Sequence, residues 1–278
     1  MTKVVLISSF LLMGFLAKAQ EFQGKAEYFS KRIMKKKTEK VETKSKEPLD
    51  PELQKEIEIA IKKATEKQYV LTFNKTECLY EEEQKLEEPK PSSGTSFSIT
   101  FSGGGKKYLN TRDKNSIVED EIFGREFLIV EPLVQPEWKL IDETKKIGDY
   151  NCFKAELVIP VSEKQKKEYE EFLKKEEKKP ALFKMEKPED KVITAWYTPE
   201  IPVNFGPDNY WGLPGLILEV SEEKLIILCS KVVLSNKEKT KIKAPNTGEK
   251  VSQKKFDEIQ KKKTDSMKDE DGVIMFQH

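Results

Sequence analysis

The chain has 278 residues, with 50 Lys and Arg against 49 Asp and Glu, a length that suits one or two domains. That balance supplies no basic field, so nucleic acid is not expected as a partner. The only histidine is His278, which argues against Ser-His-Asp catalysis, His-based metal sites and base-activated cysteine chemistry.

The first 19 residues have the layout of a secretory signal. Lys3 gives the positive start, Val4 to Leu16 the apolar run, and Ala17-Lys18-Ala19 a small-residue cleavage site. The run falls short of the roughly 20 residues that a membrane span needs. Cleavage before Gln20 removes Lys3 and Lys18, leaving 48 cationic side chains against 49 anionic ones and a net charge of −1. No cysteine precedes Cys78, so no lipoprotein anchor is expected, and no later segment has the length and apolarity of a span. The expectation is an exported protein, periplasmic or outer-membrane associated. Cys78, Cys152 and Cys229 then face an oxidising compartment. Either one disulfide forms, in any of three pairings, or all three are small buried thiols; spacing does not choose.

From Gly24 to Met34 apolar and polar residues alternate, which predicts an opening strand. Lys35 to Glu47 is almost wholly Lys, Glu and Thr and supplies no buried face. Asp50-Pro51 marks a helix start, and Leu53, Ile57, Ala60, Ile61 and Ala64 recur at helical spacing over 51–67. Tyr69 to Phe73 and Thr76 to Glu82 read as a hairpin, followed by a charged linker. Ser96 to Ser102 and Lys107 to Thr111 flank three glycines, a second hairpin; Ser116 to Ile122 and Glu126 to Glu131 flank Phe123-Gly124-Arg125, a third. Trp138 to Asp142, Asn151 to Ile159, Val192 to Thr198, Leu216 to Val220 and Leu225 to Leu234 complete the strands. The fold class is mainly β: a curved antiparallel sheet or partial barrel, a meander with a few peripheral helices. Charged excursions interrupt it near 35–67 and at 163–191, where 19 of 29 residues are charged and Tyr169, Phe172 and Leu173 form a narrow helical stripe. The β-rich domain spans 20–234. The tail, 235–278, is charged, with a short helix expected around Phe256 and Ile259.

One segment has a different texture. Between Trp196 and Ile217, Pro199, Pro202, Pro207 and Pro214 and Gly206, Gly212 and Gly215 interleave with Trp196, Tyr197, Phe205, Tyr210 and Trp211. Proline removes backbone freedom and glycine permits close approach, so the segment reads as a long loop held in one shape. Leu213-Pro214-Gly215-Leu216 fits a type II turn. The five aromatic residues are candidate lining for an apolar ligand or a partner segment, with packing at one end of the sheet as the alternative. Cys152 and Lys154 share one side of a strand, a pairing that could lower a thiol pKa.

Gly212-Leu213-Pro214-Gly215-Leu216-Ile217 resembles the signature of the GLPGLI family of exported proteins, best known from Bacteroidetes. The resemblance extends to Ala195-Trp196-Tyr197-Thr198, Ile201-Pro202, Gly206-Pro207, Trp138-Lys139, Lys146-Ile147-Gly148 and Tyr150-x-Cys152-x-Lys154-Ala155, and covers the chain from Tyr69 to Val220. It implies membership and compartment, because the family has no established biochemical activity. The charged excursion at 163–191 departs from the pattern by lengthening the connection before Trp196. The functional expectation is a non-enzymatic envelope protein, a binding or carrier module built on the 196–217 loop. Its alternative is an accessory of an outer-membrane protein complex, and a thiol enzyme or peptidase ranks last. No catalytic residue, metal or cofactor is assigned.

Overall fold

Alternating side chains make strands because successive Cβ atoms point to opposite faces. The opening segment shows this well: in β1 (Gln23–Arg32), Ala26, Tyr28 and Ser30 are buried while Lys25 and Lys31 are exposed. The computed structural model describes residues 22–33, 51–83, 105–176, 186–235 and 241–267. The signal-like segment, the Lys35–Glu47 run and the strand expected at Ser96 to Ser102 lie outside them.

Helix α1 (Pro51–Thr65) follows and runs directly into β2 (Glu66–Asn74). Its stripe is modest, with Ala64 buried and Ile57 and Ile61 half-buried. Then come β3 (Glu77–Glu82), β4 (Lys107–Asn110), β5 (Asn115–Ile122) and β6 (Arg125–Pro132), each antiparallel to the strand before it. A second series holds β7 (Lys139–Ile147), β8 (Tyr150–Ile159), β9 (Lys191–Thr198), β10 (Leu216–Glu222) and β11 (Leu225–Ser235). Trp138, expected on the first strand of this series, sits just ahead of it, and the strand runs on to Ile147.

The two series are joined where β1 pairs antiparallel with β11, so the sheet is two meanders laid edge to edge. The full order is β12-β6-β5-β4-β3-β2-β1-β11-β10-β9-β8-β7, where β12 (Glu249–Val251) comes from the charged tail and runs parallel to β6. The sheet is open.

This topology forces curvature. From β6 to β7 the chain must move ten places along the sheet, about 48 Å at the usual strand spacing of about 4.8 Å. Only Leu133–Trp138 connects them, and such a link reaches about 25 Å at full extension. The sheet therefore curls until its two ends approach each other.

Two excursions leave the sheet. Helix α2 (Glu163–Glu176) opens with a reciprocal cap: the Gln165 N–H donates to the Ser162 hydroxyl at 3.2 Å, and the Ser162 N–H donates to Gln165 Oε1 at 2.9 Å. None of its described side chains is fully buried. Helix α3 (Gln253–Ser266) is anchored by Phe256, whose ring meets Phe127 edge-on at 5.5 Å. Its N-terminus is capped by Ser252.

Candidate functional site

The proline- and glycine-bearing loop between β9 and β10 is part of the core. Ile201, Val203, Phe205 and Trp211 join a cluster with Tyr28 of β1, Leu71 and Phe73 of β2, Cys78 and Tyr80 of β3, Leu109 of β4 and Cys152 of β8. Leu213 and Tyr210 join a second cluster with Ala155, Ile193, Ala195, Tyr197, Ile217 and Val220. The loop thus spans the hollow that the curled sheet leaves. Each fully buried large side chain contributes about 1.5–3 kcal/mol, so this segment carries a sizeable share of the core.

Backbone hydrogen bonds fix its path. Gly212 N–H donates to Asn204 C=O at 2.8 Å, Leu216 N–H to Ile201 C=O at 3.1 Å, and Ile217 N–H to Phe205 C=O at 3.0 Å. From β1, the Tyr28 hydroxyl donates to Ile217 C=O at 2.7 Å. The link between the two meanders lies against it too: Trp138 Nε1–H donates to Trp211 C=O at 2.8 Å and Gln135 Nε2 to Gly212 C=O at 3.2 Å.

The expected type II turn is not formed. Such a turn needs a positive φ at Gly215, yet the positive value falls on Gly212, at 94°. Instead Gly215 N–H donates to Leu213 C=O at 2.9 Å, a tighter bend about Pro214. Glycine is needed at 215 for space: a Cβ there would lie 2.2 Å from Thr198 O. Gly206 is similarly pressed against Ile217, and Pro202 and Pro207 lie within the same loop. Gly148, at φ 57°, sits in the tight turn between β7 and β8.

The five candidate aromatic residues do not form one lining. Phe205 and Trp211 belong to the first cluster, and Tyr197 and Tyr210 to the second. Phe205 is fully buried, while Tyr197 and Trp211 are 6% and 9% exposed. Trp196 is half-buried beneath Lys145, whose Nζ lies 4.3 Å from the ring centroid and 2.7 Å from Glu219. The Tyr210 hydroxyl is bonded to Glu222.

The three cysteines are free buried thiols. Burial pushes Cys152 up to about 11, against a smaller lowering by the Ile147 backbone and Lys145, and Cys229 up to about 12. Cys78 rises further for the same reason. Lys154, two residues on from Cys152, is paired with Glu143 at 3.0 Å and Glu156 at 3.3 Å.

A cavity of about 200 Å³ opens beside the tip of the loop. Its walls are Ser30 and Arg32 of β1, Ala64 and Thr65 of α1, Lys67 and Tyr69 of β2, Tyr80 of β3, Gly105 and Lys107 at β4, and Leu225 and Ile227 of β11. The loop contributes Asp208, which holds a left-handed φ of 57° and pairs with Lys107. Tyr69 and Tyr80 stack at 4.8 Å with their planes 13° apart. Burial, followed by Glu82 and Asp208, pushes the Tyr69 phenol up to about 12 against the opposing pull of Arg32. Burial drives Tyr80 higher still. Both phenols therefore stay neutral at ordinary pH and can donate or accept hydrogen bonds.

None of these wall residues was among the candidate binding residues of the sequence; Ala64 stood out only as part of the helical stripe of α1. Their trace there is the two-residue spacing of Ser30 with Arg32, Lys67 with Tyr69, and Leu225 with Ile227, which puts each pair on one face of its strand. Among the described residues no group of three or more metal-ligating side chains converges. No described helix is long and apolar enough to cross a membrane.

The loop and the strands around it coincide with a recognised sequence family. Residues 138–219 match a family model described as "Protein of unknown function (Porph_ging)". That span holds β7 to most of β10, with Cys152, the whole loop and Asp208; the cavity's cationic residues lie outside it. No curated protein matches the sequence. Two solved structures of PNGF-II, in C2 and P21 crystal forms, resemble the chain with a TM-score of 0.47 each. They are 13% and 14% identical to it and match over 87% and 88% of this chain. The chain spans about a third of their length, 33% and 34%.

Proposed function

We propose that the chain is an exported cell-envelope protein that binds a small ligand and carries out no chemistry on it. The observation that carries this reading is the cavity of about 200 Å³ framed by the loop tip, α1 and five strands of the curled sheet. Concave sites with a few converging polar groups on an apolar wall are where small molecules bind. The loop's part is to hold the wall in place: a segment tied by Tyr28, Trp138 and its own backbone bonds presents Asp208 at a fixed position. Pre-ordering of that kind removes much of the entropy loss from binding.

Export is supported by the Lys3, Val4 to Leu16, Ala17-Lys18-Ala19 pattern. A non-enzymatic role is supported by the lack of an interior histidine and by thiols held protonated through burial. The test is native mass spectrometry of the chain purified from the cell envelope. A discrete added mass that leaves on denaturation is the expected result. The bare chain mass in every gentle preparation would reject the reading.

A further inference from the structure

We infer that the cavity takes an uncharged polyhydroxyl ring of monosaccharide size; this rests on the binding reading above. Charge decides the first half. Lys107 is paired with Asp208, Lys67 with Glu82 at 2.8 Å, and Arg32 is not free either. An ionic ligand meets no unmatched charge here and would gain a partner only by drawing one member out of its pair. A neutral ligand leaves the pairs intact.

Hydroxyls decide the second half. Tyr80 is 4% exposed and Ser30 9%, both line the space, and neither hydroxyl has a hydrogen-bond partner among the described residues. The fully enclosed side-chain polar atom that lacks a partner there is Asn115 Oδ1, so these two hydroxyls are not sealed in, and their open part faces the cavity. The Tyr69 phenol on the same wall is likewise without a partner. A buried polar group left unmatched is costly, and each of these can both donate and accept. The three come from β1, β2 and β3. From α1 comes the Thr65 hydroxyl, which donates to Ile61 C=O at 2.8 Å and keeps its lone pairs for a ligand. The Lys107–Asp208 pair adds a donor and an acceptor at β4 and the loop tip. Polar groups thus surround the space instead of marking one end of it. A ligand with a single polar group would match one wall and leave the others unpartnered. Hydroxyls set around a ring meet them all, while Ala64, Leu225 and Ile227 give the ring's C–H surface an apolar neighbour. The volume sets the size: about 200 Å³ is a little larger than the roughly 150 Å³ of a cavity known to hold benzene, so one six-membered ring with its substituents fits.

The probes are glucose, galactose, mannose and N-acetylglucosamine, with cyclohexanol and glucuronate as controls. Each is titrated separately into the full chain and followed by the amide resonances of Gly105 and Asp208. The expected result is saturable, localised shifts with at least one of the four sugars, and affinity at least tenfold weaker for both controls. Methyl glycosides separate two sources of the same chemistry: a free sugar if the glycoside is rejected, the end unit of a longer chain if both bind. Tyr80→Phe and Ser30→Ala remove only the hydroxyls and should each weaken the best sugar at least fivefold. Neither should lower the melting temperature, because neither hydroxyl has a protein partner to lose. The Trp138 indole N–H signal reports that each variant keeps its fold. Cyclohexanol or glucuronate binding as tightly as the best sugar would overturn the inference, as would sugar affinity unchanged in both variants. Melting temperatures lowered by several degrees would overturn it too, by showing that the hydroxyls are bonded within the protein. A co-purified mass that none of the four sugars displaces would sink the polyhydroxyl assignment alone. A bare chain that binds none of the probes would sink the binding reading with it.

Discussion

Gly215 and Gly148 are both glycines for a reason, but the reasons differ and give different mutational outcomes. At 215 any Cβ meets the Thr198 carbonyl at 2.2 Å, and backbone cannot step aside. Gly215→Ala should destabilise the protein by about 1–3 kcal/mol, the usual penalty for overpacking a core, read as a lower urea midpoint. At 148 the φ of 57° is strained for other residues but a Cβ meets nothing within 4 Å. Gly148→Asn should therefore change the midpoint little, because Asn tolerates that conformation. The buried thiols and phenols make a second prediction at this scale. Cys152, Cys229 and Tyr69 have folded pKa values raised to about 11, 12 and 12 from ordinary values of 9.0, 9.0 and 10.0. Raised folded values mean stability that is complete below pH 9 and is lost as pH climbs toward 11 and 12. Melting temperature should be flat from pH 7 to 8.5 and fall above 9; a rise above 9 would contradict the burial of these groups.

Among the elements, the strands were legible because alternation writes itself into sequence, and the β5–β6 hairpin because Phe123-Gly124-Arg125 marks its turn. Helix α1 was legible too, from its recurring apolar positions. Strand β12 was not: three residues, Glu249–Val251, carry no period, and pairing with β6 alone defines them. Helix α3 was visible only as Phe256 and Ile259 in a charged tail, and its docking depends on Phe127, which lies more than a hundred residues earlier. Phe256→Ala should remove that anchor at a local cost of about 3–5 kcal/mol. The expected outcome is rapid proteolysis within 241–267 while the rest of the sheet resists; uniform resistance would show that other contacts hold α3. The loop shows the limit of local reading most clearly. Its stiffness followed from its prolines and glycines, but no rule of spacing says which side of a loop faces a core. Phe205 and Trp211 look the same in sequence whether they line a groove or fill one.

For the molecule as a whole, the decisive fact is the short link Leu133–Trp138 between strands at opposite ends of the sheet. Curling follows from it, the loop fills the resulting hollow, and the cavity is what remains beside Asp208. A curved antiparallel sheet could be read from strand count and turns. The junction of β1 with β11 could not, because about two hundred residues separate the partners and the register rests on non-local pairing. The cavity was hidden for the same reason, since its walls are assembled from α1, β1, β2, β3, β4, β11 and the loop. The central claim is that the 199–215 loop is a built-in part of the core and leaves ligand binding to the space at its tip. Native-state hydrogen exchange tests it most directly, at the bonded amides of Val203, Gly212, Leu216 and Ile217. The account predicts exchange as slow as that of Leu71 and Phe73 in β2; exchange within seconds, as from a mobile surface loop, would contradict it.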